Sequence, residues 1–325
     1  MKVLFVTNGY PTTKHPEYCV FTKEQIESVQ KYGNFDSELF FINAREKGVL
    51  EYIRCIPSLK KKLSNCDIIH CFHGLTLLLV FALSPKKKII ISFLNSIENE
   101  FGEKKFLSKT LIRITKWIIK HNNVKKIFKD KIPIKYTDNS YYLPNGVDTN
   151  KFFSIPKNDA KKELNLDINK RYILFVSSKD KYRKQKRYDR FTEVLKLLKF
   201  DFPNIEELVL VNEPRDRIIY YFNSAELHLL TSDFEGSPNS VKEAMACNLP
   251  VVATNTGNVS DMLNKVNNCY VSKKFDIEEL TSYCRKILSA PITDFKINKT
   301  IGIKGLDMKS KALELISIYN KVYSS

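Results

Sequence analysis

Apolar positions along the chain fall into two successive series of short strand-like blocks, each interrupted by segments with helical spacing. The first series comprises KVLFVT (2–7), SELFFI (37–42), CDIIHCF (66–72), KKIIISF (87–93) and VKKIF (124–128). Between its first two blocks, TKEQIESVQKYG (22–33) has helical periodicity and stops at Gly33, a helix-ending residue. The second series comprises YILFVSS (172–178), ELVLVN (207–212), AELHLLTS (225–232), LPVVATN (249–255) and NCYVS (268–272), again with helical patterns between. Strands alternating with helices predict parallel sheets, so two such series predict an α/β chain with two doubly wound, Rossmann-like domains. Pro144, Asn145 and Gly146 interrupt the pattern in YYLPNGVDTNKFF (141–153) and set the expected boundary: an N-terminal domain over 1–150 and a C-terminal domain over 151–305. LDMKSKALELISIYNKVY (306–323) is expected to be a closing helix, with Leu313, Ile316 and Tyr319 on its apolar stripe, packed back on the N-terminal domain over 306–325. Two facing sheets of this kind form a cleft at the carboxyl ends of their strands, where a ligand is expected.

Charge sharpens this picture. The 325 residues carry 53 Lys+Arg against 36 Asp+Glu, a net charge of +17, which favours anionic partners. The excess is greatest between 104 and 135, where eleven basic residues accompany the single acid Asp130. There a helix over 105–120 is expected to bury Leu107, Leu111, Ile114 and Ile118 and to present Lys109, Arg113, Lys116 and Lys120 opposite. Such a face suits anionic lipid headgroups or a polyanionic glycan, and equally a plain solvated surface. The longest unbroken apolar stretch, Leu77 to Leu83, falls well short of the roughly 20 residues that span a bilayer. The start MKVLFVT fits a first strand better than a signal peptide, and the seven scattered cysteines contain no C-x-x-C pair. Both points favour a cytoplasmic protein with reduced thiols, peripheral at most on the inner face of the membrane.

The chemistry concentrates in EGSPNSVKEAMACNLPVVATNTG (235–257). A Gly/Ser/Pro/Asn loop leaves a strand and enters a helix buried through Val241, Ala244 and Met245, so free backbone N–H groups and the positive helix end suit a phosphate or pyrophosphate. Glu235 and Glu243 flank it: one carboxylate can face a reacting group while the other accepts ribose hydroxyls, although a Glu near a helix start also serves simply as a cap or dipole partner. Upstream, KDKYRKQKRYDRF follows a strand with Lys179, Lys181, Arg183, Lys184, Lys186 and Arg187, a basic loop.

The E-x7-E pattern with this loop, followed by LPVVATNTG, resembles the donor-site signature of family 4 glycosyltransferases, which have the GT-B fold. LPNGVDTNKF (143–152) resembles that family's inter-domain turn, YILFVSS with the basic loop its phosphate clamp, FNSAELHLLTSDFEGSP the strand leading to the glutamate motif, and SIYNKVY the terminal helix. The resemblance covers nearly all of the second half and is weak over the first.

It implies a retaining hexosyl- or other glycosyltransferase that uses a UDP- or GDP-sugar and needs no cofactor; the sequence has no D-x-D and no His/Cys cluster with ligand spacing, so the transfer is expected to be metal-independent, with cation side chains and helix ends in place of a metal. The acceptor would be a saccharide or lipid-linked glycan, as in surface-polysaccharide biosynthesis. Arg183 and Lys186 would meet the pyrophosphate and Glu235 the donor sugar; Ser178, Gly236, Ser237, Asn239, Ser240, Val241 and Glu243 would complete the donor site, and NEPRD (212–216) would seat the base through backbone groups. The family's Gly-Arg is replaced here by Ser177-Ser178, and its Lys-Gly by Lys186-Arg187. In the N-terminal domain the loop NGYPTTKHPEYCVF, which lacks the paired glycines of some relatives, the turn of IIHCFHG and the end of IIISFLNSIE place Tyr10, His73 and Asn95 as acceptor contacts. Two other functions stay open at this point: a sugar-nucleotide epimerase on the same fold, and a basic nucleic-acid-binding protein. Against the second, the aromatics are not interleaved with the basic runs as stacking platforms require.

Overall fold

The computed structural model describes all residues except 17, 94–96, 98–100, 102–105, 130–138, 178–179, 274 and 291–294. The chain divides into two compact units, Met1–Asn145 with Lys309–Ser325, and Gly146–Met308.

In the first unit the strands are β1 (Lys2–Thr7), β2 (Asp36–Phe41), β3 (Ile68–Phe72), β4 (Lys88–Phe93), β5 (Val124–Phe128) and β6 (Ser140–Tyr142), in the order β2-β1-β3-β4-β5-β6 with every pairing parallel. Side chains alternate across the sheet, so each strand serves two cores. Leu4, Val6, Ile69, Cys71, Ile89 and Ile91 pack with Leu59, Leu63, Leu77, Val80, Phe81 and Ile118 from the helices Ile56–Ser64, Gly74–Leu83 and Phe106–Ile118. On the other face Val3, Phe5, Ile68, Phe72, Ile90 and Ile127 meet Ile26 and Val29 of helix Val20–Tyr32, together with Leu315, Ile318 and Tyr319 of helix Met308–Ser324.

Tyr319 is fully buried, and its hydroxyl lies 2.6 Å from Nδ1 of His70, whose Nε2 lies 2.8 Å from Ser92 Oγ. Burial, with a smaller contribution from Lys129, holds the His70 pKa down to about 3, so the ring is neutral and both nitrogens serve structure. This helix buries Ala312, Leu315, Ile318, Tyr319 and Val322, whereas Leu313 is 48% exposed. The expected stripe keeps Tyr319 but passes through Leu315 and Ile318 rather than Leu313, because those are the side chains the sheet face covers.

A similar correction applies to helix Phe106–Ile118. Ile114 is 41% exposed and Trp117 57%, while Thr115, Ile118 and Ile119 are buried. The helix turns that edge inward because it packs on helix Gly74–Leu83, leaving Trp117 edge-on to Phe81 at 5.9 Å. Lys109, Arg113, Lys116 and Lys120 are exposed, as expected. The short strand β6 runs into the segment expected to carry the domain boundary.

The second unit contains β7 (Arg171–Val176), β8 (Ile205–Leu210), β9 (Leu227–Leu230), β10 (Val251–Thr254) and β11 (Tyr270–Ser272), in the order β11-β10-β9-β7-β8, again all parallel. Tyr172 and Leu174 face one core with Val241, Ala244 and Met245; Ile173 and Phe175 face the other with Phe191 and Val194. Its two ends are joined: Val147 N donates to Leu306 O at 2.9 Å and Met308 N to Val147 O at 2.9 Å. Gly146 permits this approach, since a Cβ there would stand 2.7 Å from Asp307 O and Met308 Cα.

Candidate active site

The site of the second unit is built where three segments meet at the carboxyl ends of β7, β8 and β9. Beyond β7, Ser177 caps its own loop by donating to Asp180 O at 2.6 Å, and a 3-10 turn over Lys184–Lys186 brings the chain back beneath the end of β9. Thr231 Oγ1 donates to the carbonyls of Lys186 and Arg187, Asp233 N to Gln185 O, and Gln185 Nε2 to Phe234 O. The basic loop is thereby clamped to the approach of the glutamate loop.

Within that clamp Lys186 Nζ lies 2.6 Å from Glu235 Oε1, and both side chains are only 12% exposed. Ser232 Oγ donates to the same carboxylate oxygen at 2.7 Å. The cation expected on the diphosphate and the carboxylate expected on the sugar thus form one pair. Arg183 is half-buried, with Nη2 donating to Gln185 Oε1 at 3.1 Å. Arg187 bridges Asp189 and Asp233, and Arg190 also holds Asp233, at 2.7 Å. Hydrogen bonding to Asp189 raises the Arg187 pKa, so its charge is committed to the scaffold.

Glu235 and Gly236 press against the turn after β10. Asn258 N donates to Gly236 O at 3.1 Å, and Gly257, at φ +55°, lies so close that a Cβ would be 2.2 Å from Gly236 O. Helix Asn239–Ala246 follows, without an acidic residue in its first turn. Its leading amides have no intrahelical acceptor, which makes the start of the helix an anion-favouring surface. Asn239 opens the helix with its side-chain oxygen buried and unpartnered. Ser240 turns its hydroxyl inward, 3.1 Å from Nε2 of His228, whose Nδ1 donates to Leu174 O at 3.1 Å. Burial lowers the His228 pKa to about 4, so that ring is neutral and Ser240 is its donor. Val241 is fully buried. Ser240 and Val241 therefore have only backbone amides to offer a ligand.

Glu243 is paired as well. Its carboxylate, 7% exposed, lies 2.7 Å from Arg215 Nη1, and the Arg215 guanidinium sits 4.8 Å over the ring of Phe152. Arg215 belongs to the 212–216 loop expected to seat a base through backbone groups, and its side-chain role had no signal in the sequence. Lys242 was missed too, because lysine on an amphipathic helix is ordinarily solvent-facing, yet this one is fully buried. On the same 212–216 loop, Glu213 accepts from the Tyr221 hydroxyl at 2.8 Å, and burial together with that carboxylate raises the Tyr221 pKa to about 12.

Lys186, Glu235, Gly236, Ser237, Asn239 and Glu243 are thus brought to one surface of the second unit, with Arg183 on the clamp loop. Ser178 lies outside the described residues, as does Asn95. Tyr10 and His73 belong to the first unit, just beyond the carboxyl ends of adjacent strands β1 and β3. Tyr10 packs on Phe41 at 5.9 Å. His73 adopts φ +91°, accepts from Leu75 N through Nδ1 at 3.2 Å, and lies edge-on to Phe101. Among the described residues no group of three or more His, Cys, Asp or Glu is arranged to hold a metal ion. None of their helices is long and apolar enough to cross a membrane, and all seven cysteines are free.

Two parallel sheets of six and five strands, each flanked by helices, define the GT-B class of glycosyltransferase folds. Residues 207–302, within the second unit, match the model of the family glycosyl transferases group 1. Solved structures agree in fold over the whole length. Sucrose-phosphate synthase from Thermosynechococcus elongatus is 14% identical, with TM-score 0.71 and 100% of both chains covered. Anabaena HepE in complex with UDP is 13% identical, with TM-score 0.73, covering 99% of this chain and 100% of that one. The lipopolysaccharide outer core galactosyltransferase WaaB is 14% identical, with TM-score 0.67 and the same coverage. No curated protein sequence matches the chain.

Proposed function

We propose that the protein is a retaining, metal-independent glycosyltransferase of family 4 that moves a hexosyl group from a UDP- or GDP-sugar to a saccharide or lipid-linked acceptor in surface-polysaccharide biosynthesis. The observation that carries this reading is the buried Lys186–Glu235 pair beside the start of helix Asn239–Ala246. A diphosphate arriving there gives Lys186 a second anion and leaves Glu235 to accept hydrogen bonds from the sugar. As the bond between the anomeric carbon and the diphosphate oxygen breaks, negative charge grows on the leaving group, where Lys186, Arg183 and the helix amides stabilise it. The acceptor oxygen then bonds to the anomeric carbon on the same face, and its proton passes to the departing phosphate. Glu243 accepts the ribose hydroxyls, and the structures of HepE with UDP and with UDP-glucose support a uridine donor.

Tyr10, His73 and Asn95 are assigned to the acceptor and Ser178 to the donor. The exposed Lys109, Arg113, Lys116 and Lys120, with Trp117 beside them, are assigned to an anionic inner membrane surface in the cytoplasm. Reversing two of these charges to Glu should lower sedimentation with anionic liposomes, because each contributes about 1 kcal/mol near such a surface. Equal binding by the variant would reduce this stripe to a solvated face.

The test of function is a thermal-shift panel of UDP-, GDP-, CMP- and dTDP-sugars, followed by transfer assays with EDTA and NMR of the product's anomeric configuration. Stabilisation by a UDP- or GDP-sugar and EDTA-resistant transfer with retention are expected. Abolition by EDTA with rescue by Mg²⁺ would overturn metal independence, and conversion of the sugar without any acceptor would identify an epimerase.

A further inference from the structure

Lys242 immediately precedes Glu243 on helix Asn239–Ala246, and its side chain is among the largest fully buried ones in the protein. Helical side chains lean toward the helix N-terminus. Lys242 accordingly runs back beneath the glutamate loop, with Nζ 3.0 Å from Ser237 Oγ and 3.5 Å from Ser237 O. An ammonium there has been taken out of water and set near the positive end of a helix dipole, the end that repels cations and attracts anions. On the turn that braces the same loop, the hydroxyl of Thr256 is buried without a hydrogen-bond partner in a residue only 5% exposed. Lys242 thus reaches the loop from below, while Lys186 stands beside it through its pair with Glu235. An anion seated on the loop would be met from both sides.

The contact with Ser237 also has a direction. An ammonium can only donate, so Ser237 Oγ accepts from Lys242 and its own proton points elsewhere. A hydroxyl that accepts from a cation becomes a stronger donor.

We propose that Lys242 is a positioning residue for the donor's diphosphate: it holds Ser237 with its hydroxyl proton directed to a phosphate oxygen and adds buried positive charge beneath the loop. This rests on the donor-site reading and goes beyond it, because the cations already assigned there, Lys186 and Arg183, belong to a different loop. The ligand chemistry is that of a nucleoside diphosphate, and the recognised part is the phosphate rather than the base or ribose.

The experiment compares wild type, Lys242→Met, Lys242→Arg and Ser237→Ala for binding of UDP and GDP by calorimetry, and of uridine and guanosine by ligand-observed NMR. For whichever diphosphate wild type binds, Lys242→Met is expected to lose about tenfold in affinity and Ser237→Ala about three- to tenfold, with Lys242→Arg recovering part of the loss. The matching nucleoside should bind all variants alike. Ser237→Ala leaves the core untouched, so it keeps the test decisive if Lys242→Met does not fold. Equal losses for nucleoside and diphosphate would make Lys242 a merely structural residue, and unchanged diphosphate affinity would overturn its role outright. If wild type binds neither diphosphate, the donor-site reading itself fails.

Discussion

The Arg215–Glu243 pair offers the sharpest quantitative test of the second unit's site. Arg215→Met keeps an unbranched side chain over Phe152 and removes the charge, leaving a carboxylate that is 7% exposed without its guanidinium. Breaking a fully buried ion pair by deleting one partner costs about 3–5 kcal/mol, because the remaining charge is stranded. Arg215 is 32% exposed, so water enters where the guanidinium stood, and the cost falls to about 2–3 kcal/mol. For a unit of this size that corresponds to a melting temperature lower by roughly 4–10 °C. The double variant Arg215→Met/Glu243→Met strands nothing and should recover most of the loss, giving a coupling energy of about 2 kcal/mol in a double-mutant cycle. The assay is urea and thermal unfolding followed by circular dichroism and by intrinsic fluorescence, to separate the two units. A melting temperature for Arg215→Met within 1 °C of wild type, or strictly additive single effects, would refute the reasoning.

Three further outcomes follow from the same structure. Lys186→Ala and Glu243→Ala should each weaken nucleotide-sugar binding by about ten- to a hundredfold, since each removes a charge-assisted hydrogen bond; unchanged calorimetric affinity in both would displace the donor site. Tyr319→Phe deprives the buried His70 Nδ1 of its partner and should cost about 1–3 kcal/mol in the first unit, read as a lower denaturation midpoint, and a midpoint equal to wild type would show the bond to be dispensable. Finally, His70 and His228 are held neutral down to about pH 3 and about pH 4 by burial, whereas in the unfolded chain they protonate near 6.5. Below pH 6.5 the unfolded state binds protons that the native state refuses, so each histidine withdraws about 1.4 kcal/mol of stability per pH unit until its native pKa is reached; an acid limb as steep in His70→Gln as in wild type would contradict this for His70.

The fold class was legible because it rests on local signals. Runs such as KVLFVT and YILFVSS are apolar on both faces, the signature of strands covered by helices on each side, and their alternation with helical segments implies parallel order. The glutamate loop was legible for the same reason: its glycine, serines and asparagine and the helix that follows lie within a dozen consecutive residues. Helix orientation was less so. Spacing shows that helix Phe106–Ile118 is amphipathic, but Thr115 is buried and Trp117 exposed because of the helix it packs against, which is a property of the neighbour. Strand β6 was hidden because its three residues pair only with β5, at the sheet's edge.

From the sequence alone came the alternation of elements, the two sheets, the anion-favouring loop and an inventory of cations and carboxylates around it. The tertiary structure decided which of them face each other: Lys186 with Glu235 across 49 residues, Arg215 with Glu243 across 28, and His70 with Tyr319 across 249. It also decided that Lys242 lies under the loop, that Ser240 serves His228, and that Arg187 is spent on Asp189 and Asp233. The physical reason is one of range. Strand and helix patterns are written in neighbouring residues, whereas an ion pair depends on two side chains sharing one low-dielectric site, and that site exists only once the unit that carries both has folded.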